Sequence, residues 1–198
     1  PVTGMITYDN NDLRTIDPSY LRSNVSVVTS RDYFSNSSIK ENLMLPLLTH
    51  DIGRMDWAID KAGAREFIKS LDQGIETKLT SNASNISSGQ KQLLALARGL
   101  ITNPKVIILD DALTQLGPEM EFNIIKTLQS LKEARTVILI SNQVWHLQLC
   151  DKIIVLEDGG VKESGGWNEL MSKDTYIKSK MNQLESFMSG TSANTREA

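Results

Sequence analysis

Residues 85–111 read NISSGQKQLLALARGLITNPKVIILDD and carry a helix signal followed closely by a strand signal. After the small polar residues Ser87 and Gly89, leucines and alanines recur at the spacing of one face of a helix. The β-branched run 106–109 then ends in two adjacent carboxylates, of which Asp110 is the first. We therefore predict a helix that begins near Ser87 and a buried strand that ends at Asp110.

Two further apolar runs follow, at 137–140 and 153–156. Like 106–109, both are continuous rather than alternating, which is the pattern of parallel strands covered on both faces. A predicted helix lies between the runs 106–109 and 137–140. It begins at Pro118, a residue that suits the first helical position. This alternation of strands and helices predicts an α/β fold.

The first part of the chain has strand signals at 5–8 and 25–28, after which helical patterns replace them. We predict an inserted helical subdomain at about 37–100, within a single domain that spans 1–187. The tail 188–198 is rich in small polar residues, and we predict that it is disordered.

The composition narrows the possible functions. A net charge of -3 and a pI near 5.5 provide no general attraction for nucleic acid. Cys150 has no second cysteine with which to form a disulfide, which fits a reducing compartment. No apolar run approaches the roughly 18–20 residues that cross a bilayer, so we expect any membrane connection to come through a partner or another segment.

Taken alone, each half of the opening stretch allows two interpretations. The start of the helix at 87–89 is a plausible anion site, because free N–H groups and a positive dipole lie there, but an ordinary capped core helix fits as well. Asp110 and Asp111 follow a strand, where ligands bind in open α/β sheets. They could equally be solvated or cap the next helix.

Together, in this order and at this spacing, the two segments resemble the Leu-Ser-Gly-Gly-Gln signature and Walker B strand of ATP-binding cassette (ABC) transporters. The resemblance covers nearly the whole chain to about residue 187, and 39–43 and 62–68 are similar to the exporter subfamily. It implies a P-loop NTPase-like (RecA-like), mostly parallel sheet with an inserted helical subdomain. It also implies truncation at the N-terminus, because the phosphate-binding loop would lie before Pro1.

The resemblance assigns candidate roles by position. The cofactor-binding candidates are Ser87, Ser88, Gly89, Gln90 and Ser30; the metal candidate is Asp110; the catalytic candidates are Asp111 and Asn142. The implied cofactors are ATP and Mg²⁺, and we expect both to require a partner chain or the missing upstream segment.

The resemblance implies that five catalytic positions depart from the family pattern: Ser30 replaces Gln, Ser88 replaces Gly, Asp111 replaces the general-base Glu, Gly117 replaces Asp and Asn142 replaces the switch His. The shorter Asp111 withdraws its carboxylate by about 1.5 Å, and a misplacement of that order can cost about a hundredfold in rate. Asn142 can donate a hydrogen bond but does not titrate near neutral pH. In addition, none of the 12 glycines precedes a lysine, so the Gly-x-x-x-x-Gly-Lys-Ser/Thr phosphate loop is absent.

The resemblance thus implies the cytosolic nucleotide-binding domain of an exporter, coupling ATP binding and hydrolysis to transmembrane transport. Its own site is expected to be degenerate, whereas its signature can complete a partner's ATP site, so the chain alone should be inactive or very weak as an ATPase. The expected partners are the exporter's transmembrane domain and a second nucleotide-binding domain, with no nucleic acid, on the cytoplasmic side of a membrane. The alternative is a catalytically inactive ABC-like scaffold or regulatory module.

Overall fold

The computed structural model describes residues 3–47, 51–131 and 134–193. The strands in these ranges are β1 (Thr7–Tyr8), β2 (Asn11–Asp12), β3 (Val25–Thr29), β4 (Val106–Asp110), β5 (Thr136–Ile140), β6 (Ile153–Glu157) and β7 (Gly160–Gly165). The α-helices are α1 (Pro18–Asn24), α2 (Ile39–Met44), α3 (Ile52–Lys61), α4 (Arg65–Ser70), α5 (Ser88–Ile101), α6 (Pro118–Leu131), α7 (Trp167–Ser172) and α8 (Tyr176–Ala193).

The described residues form two compact units, which divide between Ile140 and Ser141. The first unit contains a three-stranded parallel sheet in the order β3-β4-β5. Its register places Val25, Val106 and Thr136 side by side. A parallel sheet connected through helices confirms the predicted fold class.

One face of this sheet packs tightly, because helix α5 lies directly on β3. Val28 and its neighbour across the register, Leu109, are fully buried on this face. A Cβ added to Gly99 of α5 would lie 2.4 Å from Cγ2 of Val28 and 3.1 Å from Oγ of Ser26. Gly99 therefore permits a helix–strand approach that a larger residue would prevent.

The opposite face of the sheet is open in the part of the chain that the structure describes. Val27 is 54% exposed, and Ile138 and Ile140 are 44% and 50% exposed. The prediction that the run 137–140 is covered on both faces is therefore wrong for the described residues. A continuous apolar run indicates strands made for two covered faces, but the run alone does not reveal what covers each face.

The second unit contains the β6–β7 hairpin and corrects another prediction. The run 153–156 was expected to be a parallel strand, but β6 pairs antiparallel with β7. The reason is the turn between the two strands, in which Asp158 and Gly159 have φ values of 49° and 78°. Such a tight turn brings the next strand back beside the first.

Between β3 and β4 the described elements are helices, apart from an isolated bridge between Ser38 and Lys78. Helix α3 packs mainly against α5 in this region. At the other end of the chain, α8 reaches Ala193, so it includes residues 188–193 of the tail predicted to be disordered. Residues 194–198 lie outside the described residues.

An ion-pair cluster joins α3 to α4. Nε and Nη2 of Arg65 donate to the two carboxylate oxygens of Asp60 at 2.6 and 2.8 Å, and Nη1 donates to Asp56 at 2.9 Å. Hydrogen bonding from Arg65 lowers the pKa of Asp60, and the two carboxylates, Asp60 foremost, raise the pKa of Arg65.

This pair makes the stability of the first unit depend on pH. Because the folded pKa of Asp60 is lowered, its stabilisation is complete above the unfolded pKa, near 4, and is lost as the pH falls through the folded value. We therefore expect Asp60→Asn to reduce the loss of unfolding free energy on acidification, measured by urea denaturation at several pH values. Asp72→Asn, at an exposed position, is the control, and equal flattening there would contradict the role of the pair.

Candidate functional site

The start of α5 is fixed by a capping box. Oγ of Ser87 accepts a hydrogen bond from the backbone N–H of Gln90 at 3.1 Å. In return, Oε1 of Gln90 accepts one from the backbone N–H of Ser87 at 2.9 Å. The two side chains thus satisfy each other's backbone and set the first residue of the helix at Ser88.

The capping box leaves two donors for a ligand. The N–H groups of Ser88 and Gly89, the first two residues of this 14-residue helix, have no intrahelical acceptor. They lie at the positive end of the helix dipole, so this turn can bind an anion. Ser88 adopts ordinary helical backbone, so the fold does not require glycine at position 88.

The first turn of α5 lies against the loop that follows β4, residues 111–117. A Cβ on Gly89 would be 3.2 Å from the carbonyl oxygen of Gln115. The side chain of Gln92, one turn further into α5, accepts a hydrogen bond from the N–H of Gln115 at 3.0 Å. The candidate anion site at Ser88 and Gly89 therefore packs against the loop 111–117.

The two predicted carboxylates lie at the carboxyl end of β4, and both are exposed. Asp110 pairs in register with Thr29 of β3 and with Ile140 of β5. Asp111 has a left-handed backbone, with a φ of 49°, and its N–H donates to the carbonyl of Ile140 at 3.1 Å. A non-glycine residue held in this conformation is a common feature of functional loops.

Ser30 follows directly after Thr29, so it lies at the same edge of the sheet as Asp110 and is exposed. Among the described residues, no hydrogen bond or ion pair joins residues 87–90 to Asp110 or Asp111. The structure thus brings Ser30 and Asp110 to one edge and the signature residues to the 111–117 loop.

The segment after Ser30 is held by a residue that the sequence analysis missed. Nη1 of Arg98, on α5, donates to the carbonyl of Tyr33 at 2.7 Å. Its guanidinium lies 4.6 Å from the ring centroid of Phe34 and 3.7 Å from the carboxylate of Asp32. Burial lowers the pKa of Arg98, and Asp32 opposes that shift. The only signal in the sequence was a cation on an otherwise buried stretch of helix.

Asn142 is exposed and lies at the start of the second unit. The turn around it is fixed by Ser141, whose Oγ accepts from the N–H of Gln143 at 3.0 Å and lies 2.7 Å from Nδ1 of the buried His146. This arrangement holds the backbone at Asn142 and leaves its side chain exposed.

The described residues contain no cluster of three or more His, Cys, Asp and Glu side chains that could hold a metal ion by itself. The donors at Asp110 and Asp111 suit Mg²⁺ only when phosphate oxygens and water complete its coordination, which is how Mg²⁺ usually binds with nucleotides. None of the described helices has an apolar stretch of the length that a bilayer-spanning helix requires.

Comparison with known proteins identifies the family. Residues 1–114 match the ABC transporter family. The chain is 35% identical over 185 residues to the leukotoxin translocation ATP-binding protein LktB of a Pasteurella haemolytica-like species (strain 5943B) and, equally, to that of Mannheimia glucosida. Each match covers 93% of this chain and 26% of the relative.

Among solved structures, a bacterial Atm1-family ABC exporter with ATP bound superposes with a TM-score of 0.87 at 26% identity. The superposition covers 92% of this chain and 32% of the exporter chain. The chain therefore belongs to the ABC transporter family, and it is an exporter-like nucleotide-binding domain. This confirms the family resemblance that the sequence indicated.

Proposed function

We propose that this chain lends its signature segment to the ATP of a second nucleotide-binding domain and contributes little hydrolysis at its own site. The observation that carries the proposal is the capped start of α5. Its N–H groups at Ser88 and Gly89 are free for phosphate, and the whole turn is fixed by Ser87 and Gln90. Donors held in place before a ligand arrives bind it without further ordering.

The chain's own catalytic positions support the second half of the proposal. In this proposal Asp110 would hold Mg²⁺ together with nucleotide phosphates. Asp111, where the family has a general-base Glu, carries a carboxylate that is one methylene short. Asn142 offers a hydrogen bond but no titrating group near neutral pH. The exposed Gly117 supplies no side chain at all.

The cofactors are then ATP and Mg²⁺, with the phosphates supplying the anionic charge that the N–H groups of Ser88 and Gly89 would neutralise. The partners are a transmembrane domain of an exporter and a second nucleotide-binding domain. The relatives are about three to four times longer than the matched region, from the 26% and 32% coverage. We place the domain at the cytoplasmic side of a membrane through that transmembrane partner.

The test is a complementation assay. A nucleotide-binding domain with an intact phosphate loop and catalytic acid, but with a disabled signature, is mixed with increasing amounts of this chain. We expect its ATPase rate to rise with the chain and to saturate, because the added signature completes its site. Phosphate release at saturating ATP–Mg²⁺ is the measurement.

Matched variants separate the two halves of the proposal. Gly89→Asp places a charge and a clash at the anion site and should abolish stimulation. Asp111→Asn should leave stimulation unchanged, because the chain's own site contributes little. No stimulation at any ratio would contradict lending, and stimulation that Gly89→Asp retains would favour a scaffold role instead.

A further inference from the structure

A buried glutamine links the candidate anion site to the loop that follows the Walker B strand. Gln92 is 4% exposed, and its Oε1 accepts the backbone N–H of Gln115 at 3.0 Å. The two residues are 23 positions apart in the chain, so the bond joins segments that meet only in the folded domain. Burial strengthens such a bond, because the local dielectric is low.

The carbonyl group of Gln115 also lies close to α5. The missing Cβ of Gly89 leaves room for the carbonyl oxygen of Gln115, which would lie only 3.2 Å from such an atom, and for the side chain of Leu116 at 3.9 Å. Gln92 therefore accepts the hydrogen bond of the Gln115 N–H, and the absence of a side chain at Gly89 leaves space for the Gln115 carbonyl. The first turns of α5 thus contact the loop 111–117 at both the N–H and the carbonyl of Gln115.

The two polar atoms of the Gln92 amide differ in their partners, because only the oxygen is hydrogen-bonded within the part of the chain that the structure describes. Its Nε2 is buried and has no hydrogen-bond partner among the described residues. An unpaired buried donor destabilises a fold, and an apolar side chain of similar size would remove that cost. The bond to Gln115 is thus the one polar interaction of this amide among the described residues.

We propose that Gln92 is a positioning residue that makes the anion site at Ser88 and Gly89 and the loop 111–117 move together. An anion bound at the start of α5 then fixes the position of the loop that begins at Asp111 and ends at Gly117. The inference rests on the proposed function in one respect, that the bound anion is a phosphate of the partner's ATP.

Two substitutions isolate the acceptor. Gln92→Met keeps the size of the side chain and removes the oxygen. Gln92→Glu keeps an oxygen for Gln115 and removes the unpaired amide. Gln73→Met, at an exposed position, is the control. Melting temperatures establish that each variant is folded, and if Gln92→Met does not fold, Gln92→Asn, which withdraws the oxygen by one methylene, takes its place.

The first measurement is amide hydrogen exchange of the chain alone, by NMR. We expect exchange at the Gln115 N–H to accelerate in Gln92→Met by about tenfold or more, because its acceptor is lost. Exchange should remain slow in Gln92→Glu and in the control. Unchanged protection of Gln115 in Gln92→Met would overturn the proposal, whatever the assay with a partner gives.

The second measurement is the complementation assay. We expect Gln92→Met to lower the maximal stimulated ATPase rate about tenfold while the chain concentration at half-saturation stays the same, since Ser87 and Gly89 are intact. Gln92→Glu should restore the rate. If the wild-type chain gives no stimulation, the proposed function fails. If the wild-type chain stimulates and Gln92→Met does so equally, the positioning role fails while the proposed function stands.

Discussion

Replacing Gly99 by Ala is expected to lower the free energy of unfolding by about 1–3 kcal/mol, the usual cost of overpacking a core. In most helices the same change stabilises by roughly 0.5–1 kcal/mol. Here the new methyl would lie 2.4 Å from Cγ2 of Val28, on a strand that cannot withdraw without disturbing its pairing with β4. Urea denaturation at neutral pH measures the difference.

Two variants serve as controls for this result. Gly53→Ala lies in α3, where the added Cβ meets only Oδ1 of Asp51 at 3.5 Å, an ordinary contact, so we expect it to stabilise. Val28→Ala removes the clashing methyl, and the double variant with Gly99→Ala should be more stable than the two separate costs predict. Strict additivity in this pair would show that the helix–strand approach does not depend on Gly99.

Arg98→Met should cost about 1.5–3 kcal/mol, the range for losing a hydrogen bond made by a charged group. The substitution removes the donor to the Tyr33 carbonyl and the ion pair with Asp32, and it leaves Asp32 partly buried without its cation. The effect should be local: amide exchange should accelerate in residues 30–34 before the rest of the unit. Chemical denaturation and hydrogen exchange together measure both parts.

The control for Arg98 is Arg31→Met, which removes an exposed cation from the same segment. It should change the unfolding free energy by less than about 0.5 kcal/mol, as is usual for surface positions. If both substitutions cost the same, the segment after Ser30 is not held by Arg98.

The elements that depend on local sequence could be predicted. Apolar spacing located α5, and Pro118 marked the start of α6, because helices are built from contacts between near neighbours in the chain. The strands β3, β4 and β5 were predicted within one or two residues, because each is a short apolar run rich in β-branched residues. The capped start of α5 could be predicted as well, since Ser87 and Gln90 have the spacing of a capping box.

The features that depend on contacts between distant parts of the chain could not be predicted from the sequence. The hydrogen bond between Gln92 and Gln115 and the one between Arg98 and Tyr33 join residues that are 23 and 65 positions apart. No local sequence pattern predicts either bond. The clearance at Gly99 depends on how closely α5 approaches β3. The direction of β6 was misjudged because a continuous apolar run has the same appearance in either orientation.

The capping box also distinguishes the positions of the signature segment that the fold constrains from the one that it leaves free. Ser87 and Gln90 hold each other's backbone, and Gly89 makes room for Gln115, so folding alone would select for these three residues. Position 88 is exposed and has an ordinary helical backbone, so the fold does not require glycine there. A serine at position 88 therefore leaves the fold of the segment intact and changes only the surface that the start of α5 presents to a ligand.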